Sequence, residues 1–281
     1  MKYDIPDFEL HENTSHTKVY NRVPEGSDVL EFGCATGYMT KAFRELKGCR
    51  VWCTEIDPEG AEAASQFAEE VLVGDVETYE WAERLAGMKF DRIIFADVLE
   101  HLRRPDLILT RAKEFLKPGG SIVLSVPNTA HNAIIIDLLL DKFEYHSLGL
   151  LDNTHIHLFT KTSLDAMLEQ VGLHPVCIDA TYAPVWATEF SCGIADVPGI
   201  DPSFWTGRPF GCIYQYVYEV SPTQPAEVEN KLVPFSGQDE LPAPEPQPEP
   251  APEPEDRHRA AKLFARVASG LKRRVRRIIG R

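Results

Sequence analysis

A chain of 281 residues, 43% of them hydrophobic, can hold one large domain or two small ones and bury a sizeable core. Its apolar runs are shorter than the roughly 20 residues that a bilayer-spanning helix needs, and its first residues lack the basic and then apolar pattern of a signal peptide. We therefore expect a cytoplasmic protein. The six cysteines form no C-x-x-C pair and no Cys/His cluster, which predicts reduced, packed thiols and no metal site.

The formal net charge of −14 hides a strong asymmetry along the chain. Residues 257–281 hold 10 of the 29 basic residues and no acid, which leaves 19 basic and 43 acidic residues, a net of −24, in residues 1–256. An acidic body repels a phosphate-rich polymer. We therefore expect no nucleic acid as substrate or partner.

Residues 1–221 alternate short apolar runs with amphipathic stretches, which predicts a parallel sheet flanked by helices. The predicted strands are Ser27–Phe32, Arg50–Glu55, Val71–Gly74, Asp91–Ala96 and Ser121–Val126. The predicted helices are Tyr38–Lys47, Pro58–Glu69, Glu77–Ala86, Arg104–Leu116 and Asp165–Val171. Two late strands, Pro175–Tyr182 and Cys212–Val220, are predicted to form an antiparallel pair, and the Pro/Trp/Gly-rich insertion between them, 183–210, has no assignable pattern.

A proline-rich segment, 222–256, follows this predicted domain. It holds 10 of the 21 prolines and nine acids against one lysine. Because proline lacks the backbone donor that helices and sheets need, we expect an extended, solvated linker.

The basic segment 257–281 has a helical pattern. Its apolar positions recur at spacings of three and four residues, which places them on one helix face, and arginines and lysines occupy much of the remainder. A basic amphipathic helix on a flexible linker is typical of an anchor on an anionic membrane surface, so we expect a peripheral position on the inner face of the membrane. The alternatives are docking to an acidic partner, including this protein's own domain, contact with nucleic acid, and no role.

The first predicted strand leads into a glycine turn and then a helix, over Val29–Tyr38. Gly33 and Gly37 would let the backbone approach a ligand closely, and the helix N-terminus offers N–H donors to an anionic group. The Gly33-x-x-x-Gly37 spacing, with Glu31 two residues before the first glycine, differs from the G-x-G-x-x-G of dinucleotide-binding folds. This spacing argues against the alternative of a nicotinamide-dependent oxidoreductase.

The same stretch resembles the first motif, E/D-x-G-x-G-x-G, of the class I S-adenosylmethionine-dependent methyltransferases, and departs from it at Ala35, where the family usually has glycine. Four later segments resemble the family's next strands and loops in the same order. They are Val51–Asp57, Val73–Val76, Phe90–Leu102 and Leu116–Asn128. The resemblance implies a Rossmann-like α/β fold, with a seven-stranded, mostly parallel sheet, one antiparallel strand and helices on both faces. It also implies S-adenosylmethionine as the cofactor and methyl transfer as the activity.

The resemblance further implies which residues bind the cofactor. Glu55 would accept hydrogen bonds from the ribose hydroxyls, with Asp57 as the alternative, and Asp75 would accept one from the adenine amino group. Glu31 could instead cap the turn, and Asp97 could instead contact the acceptor. The full implied set is Glu31, Gly33, Ala35, Gly37, Tyr38, Glu55, Ile56, Asp75, Val76 and Asp97.

A narrower resemblance concerns the methyl acceptor. Residues 149–160 with 163–172, and the lead-in 13–18, look like methyltransferases found among cell-envelope polysaccharide and glycan genes. This implies polysaccharide biosynthesis and O-methylation of a sugar hydroxyl, in a glycan or in its lipid- or nucleotide-linked precursor. The alternatives are a quinone or other membrane lipid as acceptor, and a non-catalytic cofactor-binding scaffold that the basic segment recruits.

Histidines are the candidates for chemistry on the acceptor. A hydroxyl acceptor benefits from a base of near-neutral pKa, and His101 or a nearby carboxylate is our candidate, with a structural histidine as the alternative. The predicted acceptor pocket consists of Asn128, His131, His155 and His157. On a strand, His155 and His157 would share one face, which leaves packing and a metal pair as further alternatives.

Overall fold

The computed structural model of the chain describes residues 10–234. The predicted linker beyond residue 234 and the predicted basic helix 257–281 lie outside the described residues. Within residues 10–234, the strands form one mixed sheet with the order β3-β2-β1-β4-β5-β7-β6-β8. Their bounds are β1 Asp28–Phe32, β2 Arg50–Glu55, β3 Glu70–Val73, β4 Phe90–Ala96, β5 Leu116–Pro127, β6 His174–Tyr182, β7 Ile213–Ser221 and β8 Glu229–Asn230.

The sheet is parallel from β3 through β5, and β7 runs antiparallel to both of its neighbours, β5 and β6. The helices are α1 Ser15–Asn21, α2 Tyr38–Lys47, α3 Pro58–Ala64, α4 Glu80–Arg84, α5 Pro105–Ala112, α6 Asn132–Leu139, α7 Lys161–Gln170 and α8 Pro202–Thr206. None of the helices in residues 10–234 combines the length and the apolar character that a bilayer crossing demands.

Both faces of the central strands are covered, as a parallel sheet requires. Ile93, Ile94 and Phe95 are consecutive in β4 and all fully buried. On one face, the ring of Phe95 stacks on that of Phe32 at 4.4 Å, and Trp81 meets Phe32 edge-on at 4.9 Å. The Rossmann-like α/β fold that the sequence predicts is therefore confirmed, with an eighth strand added.

The predicted bounds agree with the structure where a local signal marks both ends. β2 and α2 have the predicted bounds, and the predicted antiparallel pairing of β6 with β7 is confirmed. The helix predicted to reach Leu116 is too long: it ends at Ala112, a short 3-10 turn follows, and β5 begins at Leu116. Leu116, predicted as the last residue of the helix, instead pairs with Phe90 of β4 in the sheet.

The insertion 183–210 packs as a small separate cluster rather than as part of the sheet. It contains two 3-10 turns and α8, and its buried side chains contact α6 and the segment 150–151. The shared core of this cluster is Ala133, Ile134, Ile136, Leu150, Leu151, Val185, Phe190, Cys192, Val197 and Trp205. The insertion therefore holds α6 and the following loop at one end of the sheet.

The first residues of the predicted linker lie along the outer edge of the sheet. Glu229 forms an ion pair with Arg22 at 2.7 Å, and the Lys231 amide donates to the Ile178 carbonyl at 2.8 Å. The Val233 amide donates to the Tyr182 hydroxyl at 2.8 Å. These contacts cover the edge of β6, which would otherwise present unpaired backbone groups.

Candidate active site

A cavity of about 1270 Å³ lies at the carboxyl ends of the parallel strands. The strand order reverses between β1 and β4, which is the position where open α/β sheets bind ligands. Most of the implied cofactor-binding residues line this cavity. They are Gly33, Ala35, Tyr38, Glu55, Ile56, Asp75, Val76 and Asp97.

The glycine turn is built by close packing of protein against protein. A Cβ on Gly33 would lie 2.8 Å from Val98 Cγ2, and one on Gly37 would lie 2.7 Å from the Ala64 Cα. Both glycines also have positive φ angles, +68° and +81°. Both glycines are therefore needed for the packing of Val98 and of α3, and the turn that results borders the cavity; the close approach of this backbone to a ligand stays a prediction.

Glu55, at the end of β2, ties the glycine turn to the sheet. One carboxylate oxygen accepts from the Ala35 amide at 2.7 Å, and the other accepts from the Asp57 amide at 2.9 Å. Each carboxylate oxygen can accept a second hydrogen bond. Glu55 can therefore hold the turn and still accept from a ligand diol in the cavity.

Asp75 and Ile56 complete the half of the cavity next to β2 and β3. Asp75 Oδ1 accepts from the Glu77 amide at 2.8 Å, and the side chain of Ile56 is 67% exposed beside it. Two carboxylates at adjacent strand ends, with an apolar surface between them, suit a nucleoside with a diol and an exocyclic amine. The residues present thus fit the ribose and adenine of S-adenosylmethionine.

Glu31 lies beneath the turn and outside the cavity lining. Its side chain is buried and accepts a hydrogen bond from Thr40 Oγ1 at 2.6 Å, which joins β1 to α2. Burial raises the pKa of Glu31 to about 7, although the hydrogen bond from Thr40 opposes the rise. Glu31 thus bonds to Thr40 on α2 and does not cap the turn, which was the alternative that the sequence left open; its contact with the cofactor stays a prediction.

Asp97 is the centre of a polar network at the end of β4. Its Oδ1 accepts from Ser125 Oγ at 2.6 Å and from Gln215 Nε2 at 3.0 Å. His16, on α1, lies 3.8 Å from Asp97 Oδ2 and hydrogen-bonds the Tyr38 hydroxyl at 2.8 Å. His16 was not among the predicted site residues because α1 itself was not predicted, although Thr14 is a good N-cap signal for that helix.

A second cluster lines the cavity beyond Asp97. Glu100 is 1% exposed, and neither of its carboxylate oxygens has a hydrogen-bond partner among residues 10–234. His155 Nε2 lies 4.0 Å from Glu100 Oε1, and the His101 ring lies 4.8 Å from that of His155. Burial raises the pKa of Glu100 well above its ordinary value and lowers that of His155. The sequence offered only His101 or a nearby carboxylate, because nothing in it pairs Glu100 with a loop 55 residues away.

The other residues of the predicted acceptor pocket lie outside the cavity lining. Asn128 donates to the Ile213 carbonyl at 2.8 Å. His131 caps α6 by accepting from the Ala133 amide, and burial lowers its pKa to about 4. His157 Nε2 lies 3.0 Å from the Arg103 carbonyl. The chain after β5 turns away from the cavity into α6, so of this predicted pocket His155 alone lines it.

Comparison with known proteins identifies the family. A family model described as a methyltransferase domain matches residues 14–178, more than half of the chain. The ubiquinone biosynthesis O-methyltransferase of Dinoroseobacter shibae is 30% identical over 156 residues, 54% of this chain and 62% of that protein. Its namesake in Chelativorans sp. is 31% identical over 153 residues, 53% of this chain and 59% of that protein. The chain thus spans less than two thirds of the length of these relatives.

Solved structures show the same fold. A SAM-dependent methyltransferase from Archaeoglobus fulgidus superposes with a TM-score of 0.51 at 18% identity, over 72% of this chain and 87% of that one. The magnesium protoporphyrin IX methyltransferase of Synechocystis PCC 6803, solved with bound SAH, superposes with a TM-score of 0.50 at 13% identity, over 78% and 90% of the two chains. With the family match and the carboxylates at the strand ends, the chain belongs to the methyltransferase domain family, the S-adenosylmethionine-dependent methyltransferases.

Proposed function

We propose that this protein transfers the methyl group of S-adenosylmethionine to a hydroxyl oxygen of an acceptor bound in the far half of the cavity. The observation that carries the proposal is one continuous cavity lined by Glu55 and Asp75 at one end and by Glu100, His101 and His155 at the other. The cofactor's methyl group is already activated, so the protein mainly has to position the acceptor and exclude water.

The acceptor that the surroundings support best is an amphipathic one, with a hydroxylated ring and an apolar body. Leu148 lines the cavity and is 51% exposed. Further large apolar side chains are exposed in segments 138–158 and 186–204, which also supply Gly149 and Ala187 to the lining. These are Leu138, Leu139, Phe143, Tyr145, Ile156, Leu158, Trp186 and Phe204. The relatives named for ubiquinone biosynthesis also support a quinone or another membrane lipid as acceptor.

A sugar hydroxyl, in a glycan or its lipid- or nucleotide-linked precursor, is the second candidate. The polar residues Asp152, Thr154 and Gln215 also line the cavity and could hydrogen-bond a polyol. The two acceptors differ in what must fill the apolar part of the cavity. The link to polysaccharide biosynthesis therefore stays a prediction from sequence resemblance.

Calorimetry with S-adenosylmethionine tests the cofactor half of the proposal. The change Glu55→Gln keeps the side-chain shape but removes a charged acceptor, whose hydrogen bonds are each worth about 1.5–3 kcal/mol. We expect the dissociation constant to rise roughly 10- to 100-fold. Glu169→Gln, on the exposed surface of α7, is the matched control and should bind as the wild type does. Equal affinity of wild type and Glu55→Gln would reject this cofactor site.

Transfer of a labelled methyl group tests the acceptor half. Membrane and cell-envelope fractions, separated into lipid, polysaccharide and protein, are incubated with the protein and labelled cofactor. Label in the lipid fraction supports the proposed acceptor, and label in polysaccharide supports the sugar. Cofactor binding without transfer to any fraction would favour the non-catalytic scaffold.

A further inference from the structure

We propose that Glu100, His101 and His155 form a binding site for a divalent transition-metal ion at the acceptor end of the cavity. One ligand atom from each of the three residues can be chosen so that the atoms all lie within 4.8 Å of one another. All three residues line the cavity. The proposed metal binding does not depend on the proposed function. The role suggested below for the metal, in methyl transfer to a hydroxyl, does rest on that function.

The buried carboxylate of Glu100 favours a bound cation. The side chain is 1% exposed, and neither oxygen has a hydrogen-bond partner in the described part of the chain. Burying an unpaired carboxylate is costly, so buried charges are normally paired or coordinate a metal. Among residues 10–234, Glu100 forms no ion pair with a lysine or an arginine. Its nearest basic partner there is His155, whose Nε2 lies 4.0 Å from Glu100 Oε1.

The orientation of the two imidazoles also suits metal binding. His155 Nδ1 lies 3.2 Å from the Leu150 carbonyl, and His101 Nδ1 lies 3.2 Å from the Thr154 carbonyl. A carbonyl oxygen can only accept, and the Thr154 hydroxyl, 3.1 Å from His101 Nδ1, donates its own proton to Asp152. Each Nδ1 therefore carries the proton of the neutral ring, and each Nε2 carries a lone pair. A backbone carbonyl behind one ring nitrogen is the arrangement that orients a metal-bound histidine.

The distance between the Glu100 and His155 side-chain atoms suits a cation as well. Glu100 Oε1 and His155 Nε2 are both acceptors and lie 4.0 Å apart, too far for a shared proton, which needs about 3 Å. A metal with bonds of about 2.0–2.2 Å places its ligand atoms roughly 3–4 Å apart. The observed spacing is therefore close to what a cation requires and wider than a hydrogen bond permits.

The donor set selects the class of metal. Two imidazoles and one carboxylate suit zinc and the neighbouring first-row ions, whereas magnesium and calcium prefer sets made of oxygen alone. Three protein ligands leave coordination positions open towards the cavity. A cation there would lower the pKa of an acceptor hydroxyl, whose proton would pass to water. The oxygen would then form its bond to the methyl carbon while the carbon–sulfur bond breaks.

Metal titration of the full chain tests the site. The protein, freed of any purification tag and dialysed against a chelator, is titrated with zinc against a chromophoric competitor, and cobalt is used to obtain a visible absorption spectrum. We expect wild type to bind one zinc ion in this site, and Glu100→Gln and His101→Asn to lose at least about 100-fold in affinity. His157→Gln removes a histidine of the same loop that lies outside the cluster, so it should bind zinc as wild type does.

Two further measurements keep the outcome clear. Thermal unfolding of each variant shows whether it folds, and the partly exposed His101 is the ligand whose loss is least disruptive. Calorimetry with S-adenosylmethionine on the metal-free protein separates the two proposals, because cofactor binding should survive chelation. If folded Glu100→Gln and His101→Asn bind zinc as tightly as wild type, the metal site does not exist and Glu100 is a neutral, protonated acid. Failure of cofactor binding with intact zinc binding would instead reject the proposed function.

Discussion

At the scale of single residues, Glu31 shows how burial changes a carboxylate. It lies under the glycine turn with Thr40 as its hydrogen-bond donor, and burial raises its pKa from 4.5 to about 7. A group whose pKa is higher in the folded chain stabilises the fold at a pH below the unfolded pKa, and that stability is lost as pH rises through the folded pKa. Glu31 should therefore weaken the fold progressively between about pH 4.5 and pH 7.

The change Glu31→Gln should remove this pH dependence. Between pH 4 and pH 8 the free energy of unfolding of the variant should rise relative to wild type by about 3 kcal/mol, the equivalent of the pKa shift. Urea unfolding at several pH values measures the difference, and Glu114→Gln on the exposed surface is the control. A difference that stays constant with pH would show that Glu31 ionises normally.

Ala35 is the position where the sequence departs from the family motif, and the structure shows the cost. Its φ angle is +49°, in the left-handed region that favours glycine. The change Ala35→Gly should raise the free energy of unfolding by about 0.5–1 kcal/mol, because it removes this strain. Ala166→Gly, in the exposed middle of α7, should lower it by about 1 kcal/mol, as glycine does in a right-handed helix. Denaturant unfolding of both variants measures the contrast, and the same sign for both would contradict it.

At the scale of elements, the sequence predicts the segments that carry their own start and stop signals. α2 lies between Gly37 and Gly48, both in the left-handed conformation, and its predicted bounds agree with the structure. α1 and α6 were missed because each is capped by a single side chain, Thr14 or His131, and neither has a long amphipathic pattern. β8 has two residues and is defined only by its pairing with β6, which no local pattern reveals.

α1 closes one side of the cavity, and a change at its N-cap residue tests how far the cap stabilises this helix. The side chain of Thr14 accepts from the Thr17 amide, and Ser15 and His16 line the cavity. Removing the cap with Thr14→Ala should cost about 1 kcal/mol, which corresponds to roughly five-fold faster hydrogen exchange of the α1 amides. Thr14→Ser keeps the hydroxyl and should exchange as wild type does. Unchanged exchange in Thr14→Ala would show that tertiary contacts alone hold the helix.

At the scale of the whole molecule, the two halves of the cavity differ in how far the sequence predicts them. Glu55 is the last residue of β2, and Asp75 comes just after β3. Because parallel strands end at the same edge of a sheet, the parallel sheet alone brings these two carboxylates to one edge. Glu100 and His155 meet because the loop that carries His155 packs directly on Glu100, whose backbone carbonyl accepts from the Ile156 amide at 2.8 Å. The insertion 183–210 packs on α6 and on Leu150 and Leu151 of the same loop. That packing depends on contacts between distant segments, so the sequence named His101 and His155 as separate candidates but not the cluster that they form with Glu100.

If the predicted anchor is right, the basic segment 257–281 binds the protein to an anionic membrane surface. Each Lys or Arg near an anionic surface contributes about 1 kcal/mol, and the segment carries ten. We expect the full chain to float with vesicles that contain anionic phospholipid, and a chain truncated after Glu255 to remain at the bottom of the gradient.

A variant with Arg273, Arg274, Arg276 and Arg277 changed to glutamine keeps the length and should bind at least about 100-fold more weakly. Because exposed charges are screened by salt, flotation of the full chain should also fall as salt rises. Equal flotation of full and truncated chains would place any membrane contact elsewhere, and the exposed Leu148 of the cavity lining would then be the first place to test.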